Sequence, residues 1–511
     1  MLTYLAEIEA YNPATASVVT LYFSSQGYTS TPSDTPANQH YEARLLQPGL
    51  MRRDVFSQGA TGGASTTGYG LIELISLGDL DALVNYGFDG RRFRILLGDT
   101  EAARSSFTTI FTGTMEQADF DWQHVTLRIK DRLSEFDRPI QTHLYAGTNV
   151  LPDGLEGTAE DLKGKPKPLV YGQVFNVTPD LVNASRLIYQ VHDGAIASLD
   201  RVLDQGVALT AGAAYSSQAD METNAPSSGA FRAWLAGGYF RLGANPAGQV
   251  TADVTQGASA AARTAAQIMK TIAEGPGGIS AGDIVSGDVA ALDTASGSAV
   301  VGLFLTGDGS IKSALDDLAN SVGAWYSFDR LGRLRMAQLN VPSGAAVASF
   351  NTQDIVTIER TPTTDTDRGI PAYQVRLSYS RNYTVMQSGI AGSVSAGFKA
   401  WMAEEYRTLT ATDTGTLTAH LLAPVLDFET QLVNAAAAQT EANRRLDLYK
   451  TRREKLNVRL HVIPGGSDTL DLGDVISIRI NRFGYDSGKL FRILGLQPDY
   501  RTGTIDLTLW G

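Results

Sequence analysis

The apolar residues of this chain come in short, alternating runs, and that pattern restricts it to a strand-rich fold. In the segment 124–129, Val125, Leu127 and Ile129 share one face, while Thr126, Arg128 and Lys130 share the other. A period of two is the signature of a half-buried strand. Near the end of the chain Ile505, Leu507 and Leu509 repeat it. Further short strands are expected at 17–23, 71–77, 92–97, 107–111, 355–359, 373–379, 458–463, 475–480 and 490–494. The 51 glycines, with frequent Ser and Thr, supply the turns that such a chain needs.

At 511 residues the chain is too long for one core, because single cores stop growing at about 250–300 residues. The expected fold class is mainly β with α+β insertions, multidomain, with β-barrel-like modules at both ends and a central α+β module. The first module covers 1–140 and contains a polar loop at 29–39 and a Gly/Ser/Thr-rich loop at 56–70. An extended Pro/Gly-rich connection follows at 141–190. Pro166 and Pro168 keep it out of helix, and Leu169, Val170, Tyr171 and Val174 predict that it packs as an arm. A small β-rich module occupies 191–250. In 251–342, Ala265, Ile268, Met269 and Ile272 share a helix face, as do Ile311, Leu315, Leu318 and Val322. A hairpin is expected around Asp329–Gly332. The last module, 343–511, holds a long helix at about 428–453, with Arg444, Arg445, Lys450, Arg452 and Arg453 near its C-terminus, where cations suit the helix dipole.

The two ends of the chain align with each other. Residues 110–129 match 490–509 without a gap: Phe111, Gln117, Asp119 and Leu127 meet Phe491, Gln497, Asp499 and Leu507. Ile110, Phe120, Val125 and Ile129 meet Leu490, Tyr500, Ile505 and Leu509. Both segments read as strand, turn, strand with the same alternation, as expected of a duplicated element.

No constellation of reactive residues emerges. Cysteine is absent, which excludes disulfides, thiol nucleophiles and thiolate zinc sites. The six histidines, His40, His124, His143, His192, His420 and His461, lack metal-ligand spacing. No phosphate-cradling glycine loop or GxSxG elbow occurs. The pairs Asp79/Asp81, Asp119/Asp121, Asp316/Asp317 and Glu404/Glu405 are sequence neighbours, which does not make them face each other across a cleft. Asp153-Gly154 and the acidic run 468–474 lack a calcium-loop pattern. No catalytic, cofactor-binding or metal-ligating residue is nominated, no cofactor is expected, and the chain is expected not to be an enzyme. The net charge of −12 opposes tight phosphate-backbone binding. The start of the chain does not read as a signal peptide, and no apolar stretch long enough for a membrane span occurs.

Several strings carry a resemblance. Residues 80–91 (LDALVNYGFDGR), 162–172 (LKGKPKPLVYG) with Asn176 and Val177, 321–332 (SVGAWYSFDRLG), and the ending from Leu472-Gly473-Asp474-Val475 to Trp510-Gly511 are similar to segments of tail proteins of long-tailed bacteriophages. In this order, the strings resemble a baseplate hub or tail-tip protein of the tail-hub superfamily. The resemblance implies a homotrimer in which each chain gives two β-barrel domains to a ring of six, joining a six-fold tail tube to a three-fold tip. It implies assembly in the host bacterial cytoplasm and residence in the virion tail tip. Its implied partners are a distal tail protein, tail tube or tape-measure protein and tip or fibre proteins, with DNA only in passage. A hexameric distal tail ring, a host-surface carbohydrate-binding tip protein, and a hub of a gene-transfer or injection particle are the alternatives. Scattered Trp122, Trp234, Trp325, Trp401 and Trp510 give the carbohydrate reading no support.

Overall fold

The computed structural model describes residues 1–56, 61–361, 369–463 and 466–511. The expected loop at 56–70 therefore lies in part, at 57–60, outside the described residues. The rest of the chain is mostly strand and multidomain, as its alternating runs predict.

A fifteen-stranded sheet joins the two ends of the chain. Its strands, numbered in chain order, are β1 (Leu2–Asn12), β2 (Ser17–Ser24), β3 (Tyr28–Thr29), β4 (His40–Ala43), β5 (Leu45–Asp54), β6 (Tyr69–Ile75), β7 (Arg92–Asp99), β8 (Thr108–Phe120) and β9 (His124–Lys130) from the first part. From the last part come β10 (Ala348–Asn351), β11 (Ile355–Thr361), β12 (Lys455–His461), β13 (Val475–Arg479), β14 (Lys489–Asp499) and β15 (Thr504–Trp510). The main path runs β11-β12-β15-β14-β5-β6-β9-β8-β7-β1-β2-β4-β3, with β13 and then β10 branching from β14. Among the described residues this path ends at β11 and at β3.

Five strands of the first part recur in the last. The order β5-β6-β9-β8-β7 matches β11-β12-β15-β14-β13, every neighbouring pair antiparallel. The registers fix the equivalence residue by residue. In β8–β9 a bulge falls between Met115, opposite Ile129, and Gln117, opposite Arg128. In β14–β15 it falls between Ile493, opposite Leu509, and Gly495, opposite Thr508. A second bulge separates Leu45 and Gln47 in β5, opposite Leu74 and Glu73; its counterpart separates Ile355 and Thr357 in β11, opposite Leu460 and Arg459. Both bulges give the same alignment. Under it β9 falls on β15 and β6 on β12 end to end, and Phe93 and Ile95 fall on Ile476 and Ile478, all buried. A bulge leaves one residue unpaired and shifts everything beyond it, so two coincident bulges are a stringent match. The copies part at the next strand: β7 takes β1 antiparallel, whereas β13 takes β10 parallel.

This corrects half of the ungapped alignment. Val125, Leu127 and Ile129 do correspond to Ile505, Leu507 and Leu509. In the preceding strand, however, Phe120 corresponds to Pro498, Gln117 to Gly495 and Phe111 to Lys489, two residues away from the sequence match. The turn of the second copy is two residues longer.

Between the copies lie two further bodies. Leu169–Val177, the expected arm, is the fourth strand of a five-stranded sheet, paired with the central strand Val250–Thr255 and the edge strand Gly302–Leu305. Gly172 lies at its crossing, with a φ of +75°, where a Cβ would overlap the carbonyl oxygen of Val301. The cut expected at 250/251 runs through Val250–Thr255, which also pairs with Ser198–Asp204. The central core gathers α1 (Ala265–Glu274), α2 (Ile311–Ser321) and the hairpin Ala324–Phe328/Leu334–Gln338. Thr264 and Ser310 cap the helices by accepting from the backbone N–H of Gln267 and Ser313. The same core takes in Val375, Leu377 and Ala411 of a separate three-stranded sheet and Ala438, Ala442 and Leu446 of α3 (Ala435–Tyr449). The expected unit 343–511 is thus divided: its middle packs on the central core, and only its flanks join the large sheet. The long helix is also shorter than expected, because Val425–Glu429 is a strand parallel to Gln374–Tyr379 and Asn434 caps the helix. Arg444 and Arg445 bind Glu441 within it.

Candidate functional site

The two copies meet where β14 pairs with β5, and buried polar contacts surround that joint. Gly495 lies opposite Asp54 and Leu496 opposite Arg53. The N–H of Val55 donates to the carbonyl of Leu494 at 2.8 Å. A Cβ on Gly495 would overlap Asp54 Oδ1 and lie 3.2 Å from Arg52 Nη2, so a larger residue there would have to displace the Arg52–Asp54 pair. Arg52 holds Asp54 in a two-pronged pair at 2.7 Å and donates to Thr508 Oγ1 of β15 at 3.1 Å.

Arg53 points the other way and is 3% exposed. Its Nη1 donates to the carbonyl of Phe328 in the central hairpin at 3.1 Å and lies 2.9 Å from Asp471 Oδ1. Its guanidinium sits 5.3 Å from the centroid of the Phe111 ring in β8. One side chain thus touches both copies and the central body. The hairpin turn is held from both sides as well. Arg330 N–H donates to Asp471 Oδ2 at 2.6 Å, its Nη1 to the carbonyl of Thr109 at 2.6 Å, and its own carbonyl accepts from the N–H of Thr112 at 2.8 Å. These contacts give the string 321–332 a role: its turn is wedged between the copies.

Asp131 closes the joint below. It is 2% exposed and accepts from the N–H groups of Gly68 and Leu133, both at 2.9 Å. Burial pushes its carboxyl up to about 6, partly offset by those two N–H groups and by Arg53. At the far end Tyr500, in the β14–β15 turn, lies with its ring centroid 5.3 Å from that of Tyr4 in β1, and Gln47 donates to Asp499 at 3.1 Å.

The residues weighed from the sequence are scattered. Asp79 pairs with Arg44, Asp119 with Arg128, and Asp121 accepts from the N–H groups of Gln123 and His124. Asp316 accepts from the hydroxyl of Tyr326 and the N–H of Ser65; burial raises its carboxyl. Glu405 pairs with Arg381. His192 accepts from the N–H of Val170, and burial lowers it to about 4. In the acidic run, Asp471 and Asp474 accept from protein donors. Among the described residues no group of three or more His, Asp or Glu is placed to hold a metal ion, and no helix is long and apolar enough to cross a membrane. Sequence reasoning missed the joint. Its signal was Arg52-Arg53-Asp54 inside an apolar strand, since adjacent charges there have to be paired. It also missed the stacking of Phe398 on Trp401, centroids 5.3 Å apart, which their i,i+3 spacing announced.

No family model matches the sequence, and no curated protein matches it. Solved structures do. The tail protein from Neisseria meningitidis MC58 is similar at 11% identity, with 93% of each chain covered and a TM-score of 0.43. The 43 kDa tail protein of prophage MuSo2 from Shewanella oneidensis is similar at 10% identity, covering 99% of this chain and 95% of that one, with a TM-score of 0.41. A chain of the native gene transfer agent virion is similar at 16% identity, covering 74% and 91%, with a TM-score of 0.40. Each of these three is described as a tail or virion protein.

Proposed function

We propose that this chain is a structural component of a phage-type tail tip, a baseplate hub that assembles into a ring and joins the tail tube to the tip. The observation that carries the reading is the duplicated five-strand unit, with the same strand order, the same directions and two bulges in common, joined within one continuous sheet. A chain that contains two copies of one unit presents two equivalent building blocks per protomer. Three such protomers place six units around an axis, so a three-fold assembly matches a six-fold tube. Closed rings also cover strand edges that would otherwise invite aggregation. The net charge of −12 suits a conduit that DNA traverses without sticking. In this reading the chain is not an enzyme, works in the virion, and takes tail-tube, distal-tail and fibre proteins as neighbours. Sedimentation of the purified chain tests it: a trimer with a central bore in projection images is expected. A six-fold ring of this chain would replace the trimer with a hexameric distal ring, and clear hydrolysis of host-surface glycans would refute the structural role.

A further inference from the structure

We propose that the outer face of the first copy's sheet carries a binding cleft for an acidic saccharide, that is, a sugar bearing a carboxylate. The proposal does not depend on the ring reading. The cleft encloses about 560 Å³ over strands β2, β1, β7 and β8.

Its floor follows from the strand pattern. Ala6, Ile8, Phe93 and Ile95 point into the first copy's core. Glu7, Glu9, Arg92 and Arg94 alternate with them and therefore point outward. Register lines these side chains up in rows. Tyr22, Glu7, Arg94 and Thr112 lie side by side across the four strands. In the next row Thr20 lies opposite Glu9. Arg104 and the Thr35-Pro36 segment wall the cleft.

Part of this charge is already paired. Glu7 is 6% exposed. It accepts from the hydroxyl of Tyr41 at 2.7 Å, from Arg104 Nε at 2.8 Å and from Arg94 Nε at 3.0 Å. One carboxylate thus serves two guanidiniums and holds Arg94 in position. The rest is open. Arg94 turns Nε and Nη2 to Glu7, yet its side chain is still 48% exposed. Among the described residues, the side chains of Arg92 and Glu9 make no hydrogen bond or ion pair. The hydroxyls of Thr20, Tyr22 and Thr112 also lack a protein partner there.

These groups select the ligand. Three guanidiniums stand against two carboxylates, so the cleft favours one added negative charge. The open guanidinium edges match a carboxylate in two-pronged geometry. Glu9 repels a second negative charge, which disfavours a doubly charged phosphate. It accepts hydrogen bonds instead, and with the three hydroxyls it suits a ligand rich in hydroxyl groups. A sugar supplies them. An acidic peptide would satisfy the guanidiniums and leave the other polar groups unmatched, which costs affinity.

The test uses the full chain and three probes: digalacturonic acid, a neutral galactose disaccharide and the dipeptide Glu-Glu. Ligand-observed saturation-transfer NMR and calorimetric titration read binding. Digalacturonic acid is expected to bind, and each of the other two at least about tenfold more weakly, as loss of one charge-assisted contact implies. Arg92→Gln is expected to weaken the acid about tenfold, with thermal unfolding unchanged because Arg92 is exposed. Thr20→Val, on another strand, is expected to weaken it several-fold. No binding of digalacturonic acid at millimolar concentration overturns the site. Binding untouched by both variants puts the sugar elsewhere and overturns it too. Equal binding of the neutral disaccharide overturns the role of charge, and equal binding of Glu-Glu overturns the saccharide in favour of an acidic peptide.

Discussion

Replacing Arg53 by Met should loosen the joint between the two copies more than any single contact there suggests. The Arg53 side chain is 4% exposed and Asp471 10%, so the pair is shielded from water. Removing the cation leaves a buried carboxylate, a change that typically costs 3–5 kcal/mol. Asp471 keeps two backbone donors, Arg330 N–H at 2.6 Å and Leu472 N–H at 2.9 Å, which places the expected loss near the lower end, about 3 kcal/mol. The lost hydrogen bond to the Phe328 carbonyl adds about 1 kcal/mol. Asp471→Asn in the Arg53→Met background removes the stranded charge, so the double variant should recover about 2 kcal/mol relative to additivity. Urea unfolding followed by tryptophan emission reads this, because Trp325 and Trp510 are buried in the adjoining core. A loss under about 1 kcal/mol for Arg53→Met, or a double variant additive within about 0.5 kcal/mol, would refute the claim that this pair holds the joint.

Two other outcomes follow from the same region. Asp131 has its carboxyl raised from 3.8 to about 6, so the folded state favours its protonated form; that stabilisation is fully present below about pH 4 and lost as pH rises through 6. The wild type should therefore lose up to about 3 kcal/mol relative to Asp131→Asn between pH 4 and pH 7.5, and a pH-independent difference in unfolding free energy would contradict it. Gly495→Ala should cost about 1–3 kcal/mol through overlap with Asp54, while Gln117→Ala, at the equivalent place in the other copy, should stay within about 0.5 kcal/mol; equal costs in denaturant titrations would argue against the different surroundings of the two positions.

The strand-rich class, the helix at Ala265–Glu274 and the hairpin after Ile311–Ser321 were legible in the sequence, because apolar period is a local property and local burial follows it. The helix expected at 428–453 failed at its start for the opposite reason. Val425–Glu429 pairs in parallel with Gln374–Tyr379, a partner about fifty residues away by register, and long-range pairing overrides local pattern. Arg53, Asp131 and Asp471 could not be joined from sequence, because their contacts span different bodies of the fold.

The repeat separates the two kinds of information most sharply. By itself the sequence determined that both ends of the chain carry hairpins with the same inward faces. It could not determine their register, because a strand alternates with period two and a slip of two residues leaves every side chain on its own face. Only the tertiary structure, through the position of two bulges, decided that Phe120 corresponds to Pro498 and Gln117 to Gly495. A bulge is a break in hydrogen bonding between strands, and it fixes the alignment that alternation leaves free.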